Sequence, residues 1–117
     1  MKLNNKVIEI VENSGFSINE VEKQGNDFYV ELGQFTPCGE DWWETIWFDG
    51  TDEGFIEAVR ERYNNFDVDE EAEIWIESRG KNGVPSSIRA LIRDAEWKEC
   101  TLDELATSLE ELEFDED

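Results

Sequence analysis

Histidine does not occur among the 117 residues. Its absence removes the commonest general acid–base and a common metal ligand. Cations are scarce: 10 Lys plus Arg stand against 31 Asp plus Glu, a formal net charge of −21. Self-repulsion on that scale opposes compaction and specifies no fold, so solubility or a positively charged partner explains it better than stability does. Long apolar runs are missing too. The opening MKLNNKVIEIVENSG is broken by Glu9 and Glu12, which fits neither a secretory leader nor a membrane span. A cytoplasmic protein with no membrane partner is the expectation. The two cysteines, Cys38 and Cys100, lack the paired spacing of a metal site and are expected as reduced thiols, with a bond between them left open.

These shortages bear on catalysis. Without His, a Ser or Cys nucleophile needs Lys or a carboxylate as its base, and so many acids make no carboxylate pair stand out. Asp67, Asp69 and Glu71 resemble the acids that open a calcium loop, but the central Gly and the bidentate Glu are not in place. Arg79-Gly-Lys-Asn-Gly-Val-Pro-Ser-Ser misses the spacing of a phosphate-binding loop. With Arg89 and Arg93 it is the only basic concentration, and an internal role is expected for it, pairing with acidic helices. A small anion site at the following helix start is the lesser reading. The chain is therefore read as no enzyme, with no catalytic residue, metal or cofactor.

What is present is aromatic. Five Trp and seven Phe argue for a folded domain against the disorder that acidity alone would predict. Two Pro and eight Gly are scattered and mark no linker. One domain is expected over residues 1–113, with an acidic tail at 114–117. Leu3, Val7, Ile8, Ile10 and Val11 predict a helix to about residue 14, stopped by Gly15. Ile18 to Gly25-Asn26, Asp27 to Leu32, and Asp41 to Phe48 read as three strands of an antiparallel meander. Thr51 caps a helix carrying Phe55, Ile56, Val59 and Tyr63. Residues 67–78 suit either helix or strand, and Asp67 as a cap favours helix. Ser86 or Ser87 caps a helix with Ile88, Leu91, Ile92 and Ala95, and Thr101-Leu-Asp-Glu104 has the spacing of a capping box opening another. The fold class is α+β: a three-stranded antiparallel sheet preceded by one helix and followed by three or four. Trp42, Trp43 and Trp47 crowd one strand and so point to both of its faces; most are expected in the core, with one exposed.

Two acidic blocks contain no base. One runs from Asp67 to Glu77 and offers Asp69, Glu70, Glu71, Glu73 and Glu77 as contacts; the other runs from Glu99 to Asp117 and offers Asp103, Glu104, Glu110 and Glu111. A solvated helix face explains either block alone. Two on one small domain also fit a sparse imitation of a phosphate track, with carboxylates roughly 5–6 Å apart. Repulsion within the blocks is expected to raise their carboxyl pKa values on folding.

Trp47-Phe-Asp-Gly-Thr51 and the run from Asp67 through Arg79-Gly-Lys-Asn-Gly to Leu91-Ile92 resemble small acidic proteins encoded on phages and plasmids of gut Firmicutes, over residues 47–95. In size and charge, without a shared motif, the chain is also similar to DNA-mimicking anti-CRISPR and anti-restriction proteins. That likeness implies an inhibitor whose partner is a basic nucleic-acid-binding protein such as a defence nuclease, with no direct nucleic-acid binding. The nine carboxylates named above would replace phosphates. The alternative is an adaptor or regulatory protein of a mobile element that binds through its Trp-rich strand. Buried Trp and acids gathered on one face would favour the mimic; exposed Trp within an apolar patch would favour the adaptor.

Overall fold

The computed structural model describes residues 3–79 and 88–112. Helix α1 (Asn5–Asn13) is followed by strands β1 (Ser17–Ile18), β2 (Glu22–Gln24), β3 (Asp27–Phe35) and β4 (Asp41–Phe48). Helices α2 (Asp52–Asn64), α3 (Val68–Arg79) and α4 (Ile88–Glu110) complete the order. The class is α+β, with four antiparallel strands and, among the described residues, four helices. Three strands were expected. The first divides in two because residues 19–21 leave the ladder, so β1 and β2 both pair with β3 along one edge. The sheet is still three strands wide.

Local chemistry sets the boundaries. Asn4 Oδ1 accepts the Lys6 amide at 2.8 Å to start α1. The helix stops where Gly15 N donates to Glu12 O and Phe16 N to Val11 O, the paired bonds of a Schellman end. Thr51 Oγ1 accepts from Gly54 N to open α2, while Asp49 Oδ1 holds both the Thr51 amide and its hydroxyl. Asp67 Oδ1 accepts from the amides of Asp69 and Glu70. That cap decides the ambiguous 67–78 segment for helix.

Thr36–Gly39 closes the β3–β4 hairpin, with Gly39 N donating to Thr36 O and Thr36 N to Glu40 O, both at 2.9 Å. Gly39 has φ 91, a left-handed value open to glycine without strain. This turn fixes the register, Phe35 opposite Asp41 through Phe28 opposite Phe48. Burial alternates strictly along β4: Trp42, Glu44, Ile46 and Phe48 point inward, and Asp41, Trp43, Thr45 and Trp47 outward.

Helices α1, α2 and α4 cover the inner face. Val30, Leu32, Ile46 and Phe48 meet Val7, Val11, Phe55 and Val59, and the Leu102, Leu105, Ala106 and Leu109 stripe of α4. Fully burying each large side chain contributes about 1.5–3 kcal/mol. The capping-box reading of Thr101 is overturned. α4 runs unbroken through it, because Leu91, Ala95, Leu102, Leu105 and Leu109 continue one apolar stripe with no Gly or Pro between. Thr101 is itself buried.

α3 packs along the first half of α4, where Ala72, Leu91 and Ala95 are buried apart from the main core. The molecule is correspondingly long, 53 × 30 × 21 Å, with a radius of gyration of 15.2 Å. A compact chain of this length would have roughly 13 Å. The boundary expected at 113/114, the acidic tail, residues 80–83 and the cap expected at Ser86 or Ser87 lie outside the described residues.

Candidate protein-interaction face

No helix covers the outer face of the sheet among the described residues. Trp43 and Trp47 are 46% and 50% exposed there, and Phe35 is 70% exposed. The expectation of a single exposed Trp is corrected: two face solvent and only Trp42 is buried. Strand alternation puts Trp43 and Trp47 on the same side, and α1, α2 and α4 pack on the other.

These aromatics are held in place. Tyr29 lies opposite Trp47, with ring centroids 4.8 Å apart and planes at 42°. Gly33 lies opposite Trp43, whose ring occupies the space a side chain would need, so a Cβ at residue 33 would run into it. Trp43 Nε1 donates to Asp41 Oδ1 at 2.9 Å, which fixes the ring further. The register puts Glu22, Asp27, Glu31 and Asp41 on the same face. Lys23, the one base in the sheet, has inward parity and sits 5.8 Å over the Phe28 ring. The outer face is thus aromatic and acidic, with no cation among its strand residues.

The acids expected to bind a partner are distributed otherwise. Asp69, Glu70 and Glu73 are exposed on the first turns of α3, and Glu104 and Glu111 are exposed near the end of α4. Three others are engaged inside the molecule. Arg60 donates to Asp103 at 3.1 Å and to Glu110 at 2.7 and 3.0 Å, bringing those two together. Arg62 joins Glu71, at 2.7 Å, to Glu44, at 2.6 and 3.0 Å. Glu110 is consequently held below the ordinary carboxylate range by its hydrogen bond to Arg60, the reverse of the rise expected for the blocks. The Glu77 side chain lies outside what is described. Among the described residues the ion pairs are made by Arg60, Arg62 and Lys98, not by Arg89 or Arg93, for which internal pairing was expected. α2 lies against α4 and β4 and so delivers its arginines to those carboxylates; the Arg79 side chain and Lys81 lie beyond what is described.

Sequence reasoning missed a buried polar cluster beneath the β3–β4 turn. Glu40 and Asp94 are each only 2% exposed, and Lys98 Nζ lies 2.7 Å from Glu40 Oε2 and 5.9 Å over the Trp42 ring. Burial, reinforced by a hydrogen bond shared with Asp94 and opposed by Lys98, pushes the Glu40 carboxyl up to about 7. The Cys38 amide donates to Asp94 Oδ1 at 3.4 Å, and burial and Asp94 also raise the Cys38 thiol. A signal existed in Lys98, which falls on the apolar stripe between Ala95 and Leu102. Cys38 and Cys100 are both free. A cavity of about 560 Å³ lies elsewhere, between α1 and the break in the edge strand, lined by Leu3, Ile8, Ile18, Val21, Glu12 and Glu20.

No family model matches the chain, nor does any curated protein or solved structure. No described helix is long and apolar enough to cross a membrane.

Proposed function

We propose that this protein is a non-enzymatic binding protein that seats a basic protein surface on the open aromatic face of its sheet. The carrying observation is that Trp43 and Trp47 stand half exposed among Glu31, Asp41 and other carboxylates, with no cation among the strand residues of that face. Trp and Tyr anchors dominate interface energetics at about 2 kcal/mol or more each. Arg or Lys over a Trp ring adds roughly 0.5–2 kcal/mol. An open sheet with exposed aromatics also suits base stacking by single-stranded nucleic acid. That use needs cations for the phosphates, and this face offers only acids.

The DNA-mimic reading keeps one specific observation in its favour: Asp69, Glu70, Glu73, Glu104 and Glu111 are exposed and bound to no described base. In that reading they occupy the nucleic-acid channel of a host defence nuclease, as anti-CRISPR and anti-restriction inhibitors do. Both readings require a basic partner and differ in which side of the molecule meets it. Pull-down from host lysate with matched variants separates them. Trp43→Ala with Trp47→Ala is expected to abolish capture that Asp69→Asn, Glu70→Gln and Glu73→Gln leave intact. The opposite pattern, with capture lost steeply at moderate salt, assigns the function to the acidic helices.

A further inference from the structure

We infer that the partner enters as an extended basic segment, adding a fifth strand along the free edge of β4. The inference rests on the aromatic face being the binding surface. The hairpin turn makes Thr36 and Glu40 a hydrogen-bonded pair. Bonded and non-bonded pairs alternate along an antiparallel ladder. Residues 42, 44, 46 and 48 therefore bond toward β3, and Trp43, Thr45 and Trp47 aim their N–H and C=O groups away from it. The Asn19 amide checks this parity from the other side, donating at 3.0 Å to the Glu31 carbonyl, which by the same alternation faces away from β4. No described strand pairs with β4 except β3.

The two edges of the sheet are not alike. The β1/β2 edge is short and interrupted at 19–21. β4 is eight residues long, has no Pro and no Lys, and turns Glu44 inward to Arg62. Of the devices that normally blunt an exposed edge it carries only that inward charge, which Arg62 neutralises within the molecule. An added strand would lie about 4.8 Å away, with every second side chain beside Trp43, Thr45 and Trp47. Arg or Lys at those positions reaches the Trp rings, Asp41 and Glu31. The intervening apolar side chains enter a groove of about 220 Å³ between the edge and α2, lined by Ile46, Ala58, Glu61, Asn65 and Arg62, the last already paired with Glu44 and Glu71. Charge selects the occupant: a second copy would bring another −21 to this face, whereas an alternating Arg/Val segment neutralises it.

The test titrates the full chain with an eight-residue peptide alternating Arg and Val, read by Trp fluorescence and by amide hydrogen exchange. Saturable binding that protects the amides of Trp43, Thr45 and Trp47 is expected. A peptide N-methylated at the two central edge-facing amides should bind roughly tenfold or more weakly, because it forfeits two backbone bonds. Thr45→Pro, which removes only an outward-facing N–H, should do the same, and the methylated peptide serves if that variant does not fold. If methylation leaves affinity unchanged while Trp43→Ala destroys it, the aromatic face stands and the added strand is overturned. If neither matters and binding follows Glu70 and Glu73, both readings fall. No saturation at millimolar peptide, or a dimer protecting the same amides without peptide, overturns the inference.

Discussion

The two faces of the β3–β4 ribbon carry similar aromatic content and meet opposite fates. Inward, Trp42 and Phe48 are sealed beneath α2 and α4 together with Val30, Leu32 and Ile46. Outward, Phe35, Trp43 and Trp47 face solvent, Trp47 stacked on the half-buried Tyr29 and Trp43 bonded to Asp41. Hydrophobicity alone therefore does not say which Trp builds the fold. What separates the faces is the company each keeps, apolar helix stripes on one side and uncompensated carboxylates on the other.

The largest effect that would break this contrast concerns the core. Phe55→Ala is expected to destabilise by about 3–5 kcal/mol in urea unfolding. Trp43→Ala or Trp47→Ala should cost no more than roughly 1 kcal/mol, the scale of a cross-strand pair. If the outer Trp substitutions cost as much as the inner Phe, that face is structural and the binding proposal loses its ground.

The next effect separates the arginines. Arg62→Met leaves Glu44 buried without its cation and should cost roughly 2 kcal/mol. That is less than the ~3–5 of a fully buried pair, because the Arg62 side chain keeps 27% exposure. Arg60→Met frees only exposed carboxylates, and its melting temperature should stay close to that of the parent. Equal losses would mean that the α2–α4 clasp is as structural as the inner one.

A subtler comparison uses pH. Glu40 has a folded pKa near 7, above its ordinary 4.5. It binds its proton more tightly folded than unfolded, so it destabilises above about 7, and the penalty is relieved as pH falls from 7 toward 4.5. Glu110 and Asp49 are held below their ordinary values and lose their stabilising contribution only at more acid pH. The denaturant midpoint should rise between pH 8 and pH 5.5, and Glu40→Gln should flatten that rise. A rise that survives Glu40→Gln would place its origin in the acidic surface.

Much of this was legible from short-range chemistry. The β4 alternation, the Thr51 and Asp67 caps and the Gly15 stop all follow from a few neighbouring residues. Which face of β4 the helices cover was not, because that depends on where α2 and α4 dock. Thr101-Leu-Asp-Glu104 misled because a local capping pattern lost to a stripe extending over the whole helix. The pairing of block acids crosses between elements, 43 and 50 positions for Arg60 and nine for Arg62 with Glu71, so block composition overstated the free charge. The Glu40–Asp94–Lys98 cluster was hidden for the same reason, apart from the one Lys interrupting an apolar stripe.

α4 belongs to two bodies at once. At roughly 1.5 Å per residue its 23 residues span about 34 Å. The half around Leu105 is locked into the main core, and the half around Leu91 and Ala95 meets α3 outside it. A single helix can therefore open piecewise: the outer half, with α3, is held to the rest by Arg62–Glu71 and by Asp94 beneath the β3–β4 turn, and opens first when those contacts yield. Within one uninterrupted helix the amides of residues 89–96 should exchange with solvent orders of magnitude faster than those of 102–109. The Arg62–Glu71 contact is then a latch between two foldons.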